Sequence, residues 1–251
     1  MVREEVVFGP IRSRRLGSSL GINLLPEEGK ICTFDCIYCE CGWNKDGRND
    51  TKLPSAERVR KALEIKLQRC FANQVPIDSI TFSGDGEPTL NPEFPQIIDD
   101  TIALRNNYFP HSKITVLSNA TMVHKPEVFN ALRKVDNPTM KIDAPTNALI
   151  EKINHPAPGY DIHRVVEALK RFNGDFILQT MFLKSRDFDS SSPEVLNGWM
   201  DIVRVLKPRE VMVYTIDRPT PEEGLQKFTV DEMRVLVQPL IDDGFAIQIK
   251  G

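Results

Sequence analysis

The sequence predicts an α/β fold of parallel strands joined by crossover helices. Three observations support this prediction: short apolar runs rich in Ile, Val, Thr and Phe recur along the chain, amphipathic runs separate them, and the two alternate. A chain of 251 residues, 41% of them hydrophobic, is long enough to bury a core of this kind. In such folds, functional residues gather in the loops at the carboxyl ends of the strands.

Seven strands and six helices follow from these patterns. The strands are expected at residues 19–25, 78–84, 113–119, 139–144, 175–183, 210–216 and 245–250. The helices are expected at about 55–74, 93–107, 126–135, 161–173, 193–206 and 229–243. In the first helix Ser55 is placed to cap the amino terminus, and Val59, Leu63 and Leu67 repeat at helical spacing. Cys70 and Phe71 continue that apolar stripe, and Cys70 is expected in the core.

Composition narrows the class of protein further. The net charge is only −3, which gives no sign of the basic surface that is typical of nucleic-acid binding. No apolar run approaches about 20 residues, so no membrane span is predicted. The amino terminus lacks the apolar segment of a secretory signal, which predicts a cytoplasmic protein. Structural disulfides are therefore not expected, and clustered cysteines indicate metal or redox chemistry.

Four of the five cysteines lie on one short segment, as Cys32, Cys36, Cys39 and Cys41. Three kinds of site are compatible with this spacing: structural zinc, an iron–sulfur cluster closed by four thiolates, and a cluster held by three thiolates with one iron open. Zinc is least favoured, because no histidine lies at ligand spacing and all four thiols share one loop. A closed cluster can only transfer electrons, whereas an open iron can bind a further ligand.

The pattern C-x-x-x-C-x-aromatic-C, with Tyr38 before Cys39, resembles the signature of the radical S-adenosylmethionine (SAM) superfamily. The resemblance continues through "FSGDGEPTLNPEF", "KIDAPTNALIEKINHPAPGY" and "YTIDRPTPEEGL", and it points to a branch related to wyosine-synthase-like Fe–S oxidoreductases. It implies a single radical SAM domain over residues 1–251, with an amino-terminal arm at 1–18 and the core at 19–251. The implied core is a partial (β/α)6 barrel of parallel strands, with the cluster loop after the first strand.

The resemblance also implies a cofactor pair and a reaction. Cys32, Cys36 and Cys39 would bind three irons of a [4Fe–4S] cluster, and the fourth iron would bind SAM. Reductive cleavage of SAM would give a 5′-deoxyadenosyl radical, which would abstract hydrogen from a substrate. A flavodoxin or ferredoxin-type reductant would supply the electron. Cys41 is interpreted as a spectator thiol near the cluster.

Polar residues that follow the predicted strands become candidates for SAM binding by the same resemblance. Gly84 and Gly86 allow close backbone approach or a positive φ, and the Glu87 carboxylate suits an ammonium group. Lys141 and Asp143 alternate with apolar residues, so both face one side of their strand. Structural roles as turn, cap, core aromatic or buried ion pair remain open for these positions. The full candidate set is Tyr38, Gly84, Gly86, Glu87, Ser118, Asn119, Lys141 and Asp143.

The segment "YTIDRPTPEEG" provides the candidates for contact with the substrate: Tyr214, Asp217 and Arg218. The pattern does not identify a catalytic residue or choose among a small molecule, a protein and an RNA as substrate.

Two alternative functions remain open. One is a closed-cluster electron-transfer protein in which Cys41 is the fourth ligand. The other is a tRNA-modifying radical SAM enzyme that contacts phosphate through the basic cluster Arg12, Arg14 and Arg15.

Overall fold

A computed structural model describes residues 5–13, 17–27, 29–46 and 51–251. Arg14 and Arg15 of the basic cluster lie outside the described residues. Residue contacts divide the chain into two compact units, each described by itself below. Unit 1 comprises Met1–Cys32, Asn44–Ser118 and His124–Pro138. Unit 2 comprises Thr33–Trp43, Asn119–Val123 and Thr139–Gly251.

The strands of unit 1 are mostly parallel. They are β1 (Val7–Ser13), β2 (Gly17–Ile22), β3 (Ser79–Phe82) and β4 (Lys113–Ser118). β1 pairs antiparallel with β2, while β2 pairs parallel with β3 and β3 parallel with β4. All four residues of β3 are buried, as expected of a strand covered on both faces. β2 is thus the first parallel strand, and the cysteine loop follows it as predicted.

The α-helices in the described part of unit 1 are α1 (Ala56–Ala72), α2 (Phe94–Tyr108) and α3 (Pro126–Leu132). The predicted cap of α1 is confirmed, because the Ser55 hydroxyl accepts a hydrogen bond from the Arg58 N–H at 3.3 Å. The predicted apolar stripe of α1 is buried from Val59 to Cys70, but its last member, Phe71, is 61% exposed at the end of the helix. Cys70 is therefore a core residue, as its spacing indicated.

Unit 2 repeats the alternation of parallel strands and helices. Its main strands are β5 (Asn137–Lys141, in unit 2 from Thr139 onward), β6 (Ile177–Met181), β8 (Glu210–Tyr214) and β10 (Ile247–Lys250). β5 pairs with β6, β6 with β8, and β8 with β10, all parallel. Two short strands, β7 (Leu183–Lys184) and β9 (Gln226–Lys227), pair antiparallel with each other.

The helices of unit 2 are α4 (Asn147–Asn154), α5 (Ile162–Lys170), α6 (Pro193–Leu206) and α7 (Val230–Asp242). The caps at their amino termini follow ordinary helix chemistry. Asp161 accepts a hydrogen bond from the His163 N–H at α5, and Thr229 with Glu232 forms a capping box at α7.

Among the strands and α-helices named above, the sequence prediction missed β1, α4, β7 and β9. β1 lies within the stretch predicted as an arm, and Pro10 interrupts its pattern beside an irregularity in the pairing with β2. Proline within an apolar run argues against a strand unless the strand lies at an edge. β7 and β9 have two residues each, which is too short for a periodic signal.

No helix in the described part of the chain is long and apolar enough to cross a lipid bilayer.

A partly buried acidic residue, Asp136, connects helix α2 and strand β4 of unit 1. Asp136 accepts hydrogen bonds from the Arg105 guanidinium at 2.9 Å, the Lys113 ammonium at 3.3 Å and the Ile114 N–H at 2.9 Å. Burial opposes ionisation of this carboxyl, but the backbone donor and the two cations outweigh burial and lower its pKa.

We expect this carboxylate to make unfolding pH-dependent. Because the folded pKa lies below the unfolded value, its stabilisation is present above about pH 4 and is lost as pH falls through the folded pKa. Asp136→Asn should cost on the order of 1 kcal/mol at pH 7 and flatten the acid limb of a urea-unfolding series between about pH 5 and 2. An acid limb as steep as that of the wild type would contradict this role.

Candidate functional site

In unit 1 the loop after β3 forms backbone hydrogen bonds with Ile31, the residue that precedes Cys32. The Ile31 N–H donates to the Asp85 carbonyl at 3.2 Å, and the Glu87 N–H donates to the Ile31 carbonyl at 3.0 Å. Gly86, between these two, has φ +141° and would place a Cβ 2.6 Å from the Ile31 carbonyl carbon and still closer to its oxygen. The predicted close backbone approach at Gly86 is therefore present, and its partner is the start of the cysteine loop.

Gly84 allows a second close approach, between the same loop and the side chain of Asn23. A Cβ there would lie 2.7 Å from the Asn23 side-chain carbon Cγ. The Asn23 amide donates to the Asp85 carboxylate at 3.3 Å and accepts from the Asp85 N–H at 3.2 Å. Asp85 is only 1% exposed, so its hydrogen bonds to Asn23 stabilise the loop on its buried side.

Glu87 and Ser118 lie together at the carboxyl ends of two neighbouring strands. One oxygen of the buried Glu87 carboxylate accepts from the Ser118 hydroxyl at 2.9 Å, from the Thr89 N–H at 3.1 Å and from the Thr89 hydroxyl. Because β3 and β4 are parallel, their carboxyl ends share one edge of the sheet, which explains why these residues meet. The result is a rigid, buried acceptor group.

In unit 2 the cysteine loop is bound to the carboxyl end of α4. The Asp35 N–H donates to the Asn154 carbonyl at 2.8 Å, and the Ile37 N–H donates to the Ile153 carbonyl at 3.0 Å. These are carbonyls of the last turn of α4, which have no partner within the helix. The backbone on both sides of Cys36 is therefore fixed, and the Asn154 amide lies 3.3 Å from the Cys36 sulfur.

None of the four clustered thiols forms a disulfide within the described residues. Turns shape the rest of the loop, since the Cys39 N–H donates to the Cys36 carbonyl and the Gly42 N–H to the Cys39 carbonyl, each at 3.0 Å. Burial raises the pKa of the Cys36 thiol to about 11. In the part of the chain that the structure describes, no three His, Cys, Asp or Glu side chains form a ready site for a single metal ion.

A buried polar network in unit 2 joins four of the predicted residues. Tyr38 donates its hydroxyl to Asp143, and the Lys141 ammonium lies 3.3 Å from the same carboxylate oxygen. Lys141 also donates to the Tyr214 hydroxyl at 2.9 Å and lies 4.7 Å from the centre of the Tyr38 ring. The other Asp143 oxygen accepts from the Met181 N–H at 2.8 Å. Lys141 and Asp143 thus share one face, as their alternation predicted.

Charge pairing outweighs burial at the centre of this network. Burial alone would lower the pKa of Lys141, but Asp143 and then Tyr214 raise it, so the ammonium form is retained. Burial, and next the Asp143 carboxylate, raise the pKa of Tyr38 well above its ordinary value. Tyr38 is therefore neutral and Lys141 cationic, and in these forms both side chains can donate hydrogen bonds to the Asp143 carboxylate.

Asn119 fixes the start of the cysteine loop in unit 2. Its amide donates to the Thr33 hydroxyl at 2.8 Å, and its oxygen accepts from the Thr121 N–H at 3.1 Å and the Thr121 hydroxyl at 2.7 Å. These bonds orient the residue that directly follows Cys32.

The three substrate-side candidates separate in the structure. Tyr214 joins the buried network at the end of β8, whereas Asp217 and Arg218 are exposed on the loop that follows. The Arg218 guanidinium lies 2.8 Å from the Glu40 carboxylate, between Cys39 and Cys41 in sequence. This exposed pair brings the loop after β8 against the cysteine loop.

Sequence reasoning missed α4 and therefore its last residue, Asn154. The signal for the helix was available, since the Thr146 hydroxyl caps it and Leu149, Ile150 and Ile153 form its buried stripe. Eight residues are few for recognition by periodicity, because the stripe repeats barely twice. Nothing in the local sequence indicates that Asn154 faces a cysteine.

Comparison with known proteins identifies the family. Residues 29–185 match the model of the radical SAM superfamily, and this match spans more than half of the chain. The chain belongs to the radical SAM superfamily. The predicted enzyme class is confirmed, together with the cofactors of this superfamily, SAM and a [4Fe–4S] cluster.

Relatives of this radical SAM chain include proteins of the UPF0026 family. It is 28% identical to a UPF0026 protein of Helicobacter pylori over 91% of this chain and 71% of the relative. It is 29% identical to a UPF0026 protein of Methanocaldococcus jannaschii over 88% of this chain and 66% of the relative.

A solved structure shows a similar fold. The crystal structure of Streptococcus suis SuiB bound to S-adenosylmethionine aligns with a TM-score of 0.66 and 18% identity, covering 92% of this chain and 50% of SuiB. At this identity the likeness establishes the fold alone. The predicted α/β radical SAM fold of parallel strands is thereby confirmed.

Proposed function

We propose that this radical SAM protein cleaves SAM reductively and uses the product to abstract hydrogen from a substrate. Cys32, Cys36 and Cys39 would each bind one iron of a [4Fe–4S] cluster and leave one iron for the amino and carboxylate groups of SAM. The bound cluster and SAM would supply the chemistry, in which one electron breaks the S–C5′ bond and the resulting 5′-deoxyadenosyl radical takes a hydrogen atom. A flavodoxin or ferredoxin-type donor in the cytoplasm would provide that electron.

The observation that carries this proposal is the fixed backbone around Cys36. Hydrogen bonds to α4 hold residues 35 and 37, and turns hold Cys39 relative to Cys36. Thiolates suit an iron–sulfur cluster, and a four-iron cluster takes one thiolate per iron rather than several on one centre. The donor set and the rigid loop therefore fit the cluster.

Acceptor groups in the two units support the SAM-binding part of the proposal. In unit 1, Glu87 would face the ammonium group of SAM, with Gly84 and Gly86 setting the backbone of that loop, and Ser118 would contact the ribose or carboxylate. In unit 2, the proposal assigns Asn119, Lys141 and Asp143 to the carboxylate and ribose, and Tyr38 to the adenine. The buried Lys141–Asp143 pair, 3.3 Å apart, keeps both charges fixed.

The proposal leaves the chemical class of the substrate open. Tyr214, Asp217 and Arg218 would line its path, since Tyr214 contacts the buried network and Arg218 contacts the cysteine loop through Glu40.

The direct test is formation of 5′-deoxyadenosine. After anaerobic reconstitution with iron and sulfide, dithionite and SAM are added, and the product is measured by chromatography and mass spectrometry. We expect product from the wild type and only background from Cys36→Ala. No product above that background would contradict the proposal.

Cys41 distinguishes an open cluster from a closed one. If only three thiolates bind, Cys41→Ala should keep its iron content and produce 5′-deoxyadenosine within about threefold of the wild type. SAM should then change the electron paramagnetic resonance spectrum of both proteins. A closed electron-transfer cluster would instead be lost or altered in Cys41→Ala, and SAM would leave the wild-type spectrum unchanged.

A further inference from the structure

The side chain of Asn154 connects a cysteine to the charged network of unit 2. It ends α4, is 1% exposed, and places its amide nitrogen near three acceptors. These are the Asp143 carboxylate at 2.8 Å, the Tyr38 hydroxyl at 3.2 Å and the Cys36 sulfur at 3.3 Å. An amide nitrogen carries two hydrogens, so one can point to the carboxylate and the other toward Cys36 and Tyr38.

The orientation of this amide follows from its neighbours. A carboxylate only accepts hydrogen bonds, so the group facing Asp143 must be the nitrogen rather than the oxygen of Asn154. Asp143 is itself held by the Met181 N–H at 2.8 Å. Because Asp143 holds the first N–H of the amide, the second N–H points at the Cys36 sulfur.

The position of the sulfur is fixed just as firmly. The carbonyl of Asn154 accepts from Asp35, and the carbonyl of Ile153 accepts from Ile37. The same helix end therefore holds the backbone on both sides of Cys36 and presents a donor to its side chain. A residue that only satisfied its own buried amide would not need this double attachment.

We propose that Asn154 is a positioning residue that donates an N–H···S hydrogen bond to the Cys36 thiolate and raises the reduction potential of the cluster. This inference rests on the proposed function only in taking Cys36 as a cluster ligand. A reduced cluster carries one more negative charge than an oxidised one, so a donor to its sulfur stabilises the reduced form more. Hydrogen bonds from the surroundings to metal ligands act in this way in general.

The test measures the reduction potential of the cluster rather than the turnover of the enzyme. Asn154→Leu removes the donor while keeping a similar volume and no charge. In a potentiometric titration of the reconstituted protein without SAM, we expect the ratio of reduced to oxidised cluster at a fixed poise to fall about tenfold, which is about 59 mV for a one-electron couple. Asn154→Gln keeps an amide donor and should recover part of the shift.

Asn147→Leu is the matched control, since it makes the same change on the same helix. Asn147 lies seven residues away, about 10 Å along the helix axis, and bonds to Asp161 and the Ile162 N–H instead. The cluster of Asn147→Leu should have the same reduction potential as that of the wild type.

Resonance Raman spectroscopy provides a second readout. The Fe–S(Cys) stretching bands should respond to deuterium exchange in the wild type and less so in Asn154→Leu.

Thermal unfolding of each apo variant shows whether the fold is intact before the cluster is loaded. If Asn154→Leu does not fold, Asn154→Ala, whose smaller side chain also carries no donor, provides the same comparison. Wild-type potentials in folded variants with four irons would overturn the inference, and so would loss of the fold in both variants. Failure of the wild type itself to bind a cluster would instead contradict the proposed function.

Discussion

Gly86→Ala should destabilise the apo protein by about 3 kcal/mol or more and reduce the iron that the reconstituted protein retains. The new Cβ would lie 2.6 Å from the carbonyl carbon and 3.1 Å from the nitrogen of Ile31. Both are backbone atoms, so neither can rotate away as a flexible side chain would. The φ of +141° adds a backbone cost, and separation of the two loop segments would break both hydrogen bonds between residues 31 and 85–87. Urea unfolding and iron analysis measure the two effects.

Gly159→Ala is the control that separates steric overlap from backbone strain. Gly159 also has a positive φ, +87°, but a Cβ there would meet nothing within 4 Å. It should therefore cost only about 1 kcal/mol and leave iron binding intact. Equal costs at the two glycines would mean that contact with Ile31 is not what requires glycine at position 86.

Asp143→Asn should cost about 3–5 kcal/mol in urea unfolding at neutral pH. The change preserves the shape of the side chain but removes the charge that faces Lys141, whose side chain is only 14% exposed. Removing one partner of a buried ion pair leaves the other charge uncompensated in a poorly solvated place. Replacing both partners, as in Lys141→Met with Asp143→Asn, should recover part of the loss.

Asp99→Asn makes the same chemical change in an exposed ion pair. Asp99 lies 2.7 Å from the Lys134 ammonium, and both side chains are about half exposed. Such pairs contribute about 0–1 kcal/mol, so this variant should unfold at nearly the wild-type urea concentration. If the two aspartate variants were equally destabilised, burial of the Lys141–Asp143 pair would not be the cause.

Much of the fold could be predicted from local sequence. All seven predicted strands and all six predicted helices are present, because their residues repeat with the period of a strand or a helix and are bounded by capping or turn residues. The α1 stripe with its Ser55 cap is an example. The short α4 and the edge strand β1 were missed, since one offers barely two turns and the other contains Pro10.

The sequence predicted where the candidate residues lie relative to the strands, but not which residues they contact. Glu87 and Ser118 meet because parallel strands bring their carboxyl ends to one edge, a rule that needs no side-chain detail. The partner of Gly86 is different, because no pattern in "GDGEP" names Ile31.

The sequence by itself determined the order of strands and helices, the spacing of the cysteines and the shared face of Lys141 and Asp143. Those properties depend on neighbours a few residues apart, which periodicity and spacing record. Only the tertiary structure decided that Cys36 faces Asn154, 118 residues further along the chain. Side-chain partners at that separation are chosen by packing of distant segments, and packing leaves no periodic trace in the sequence of either segment.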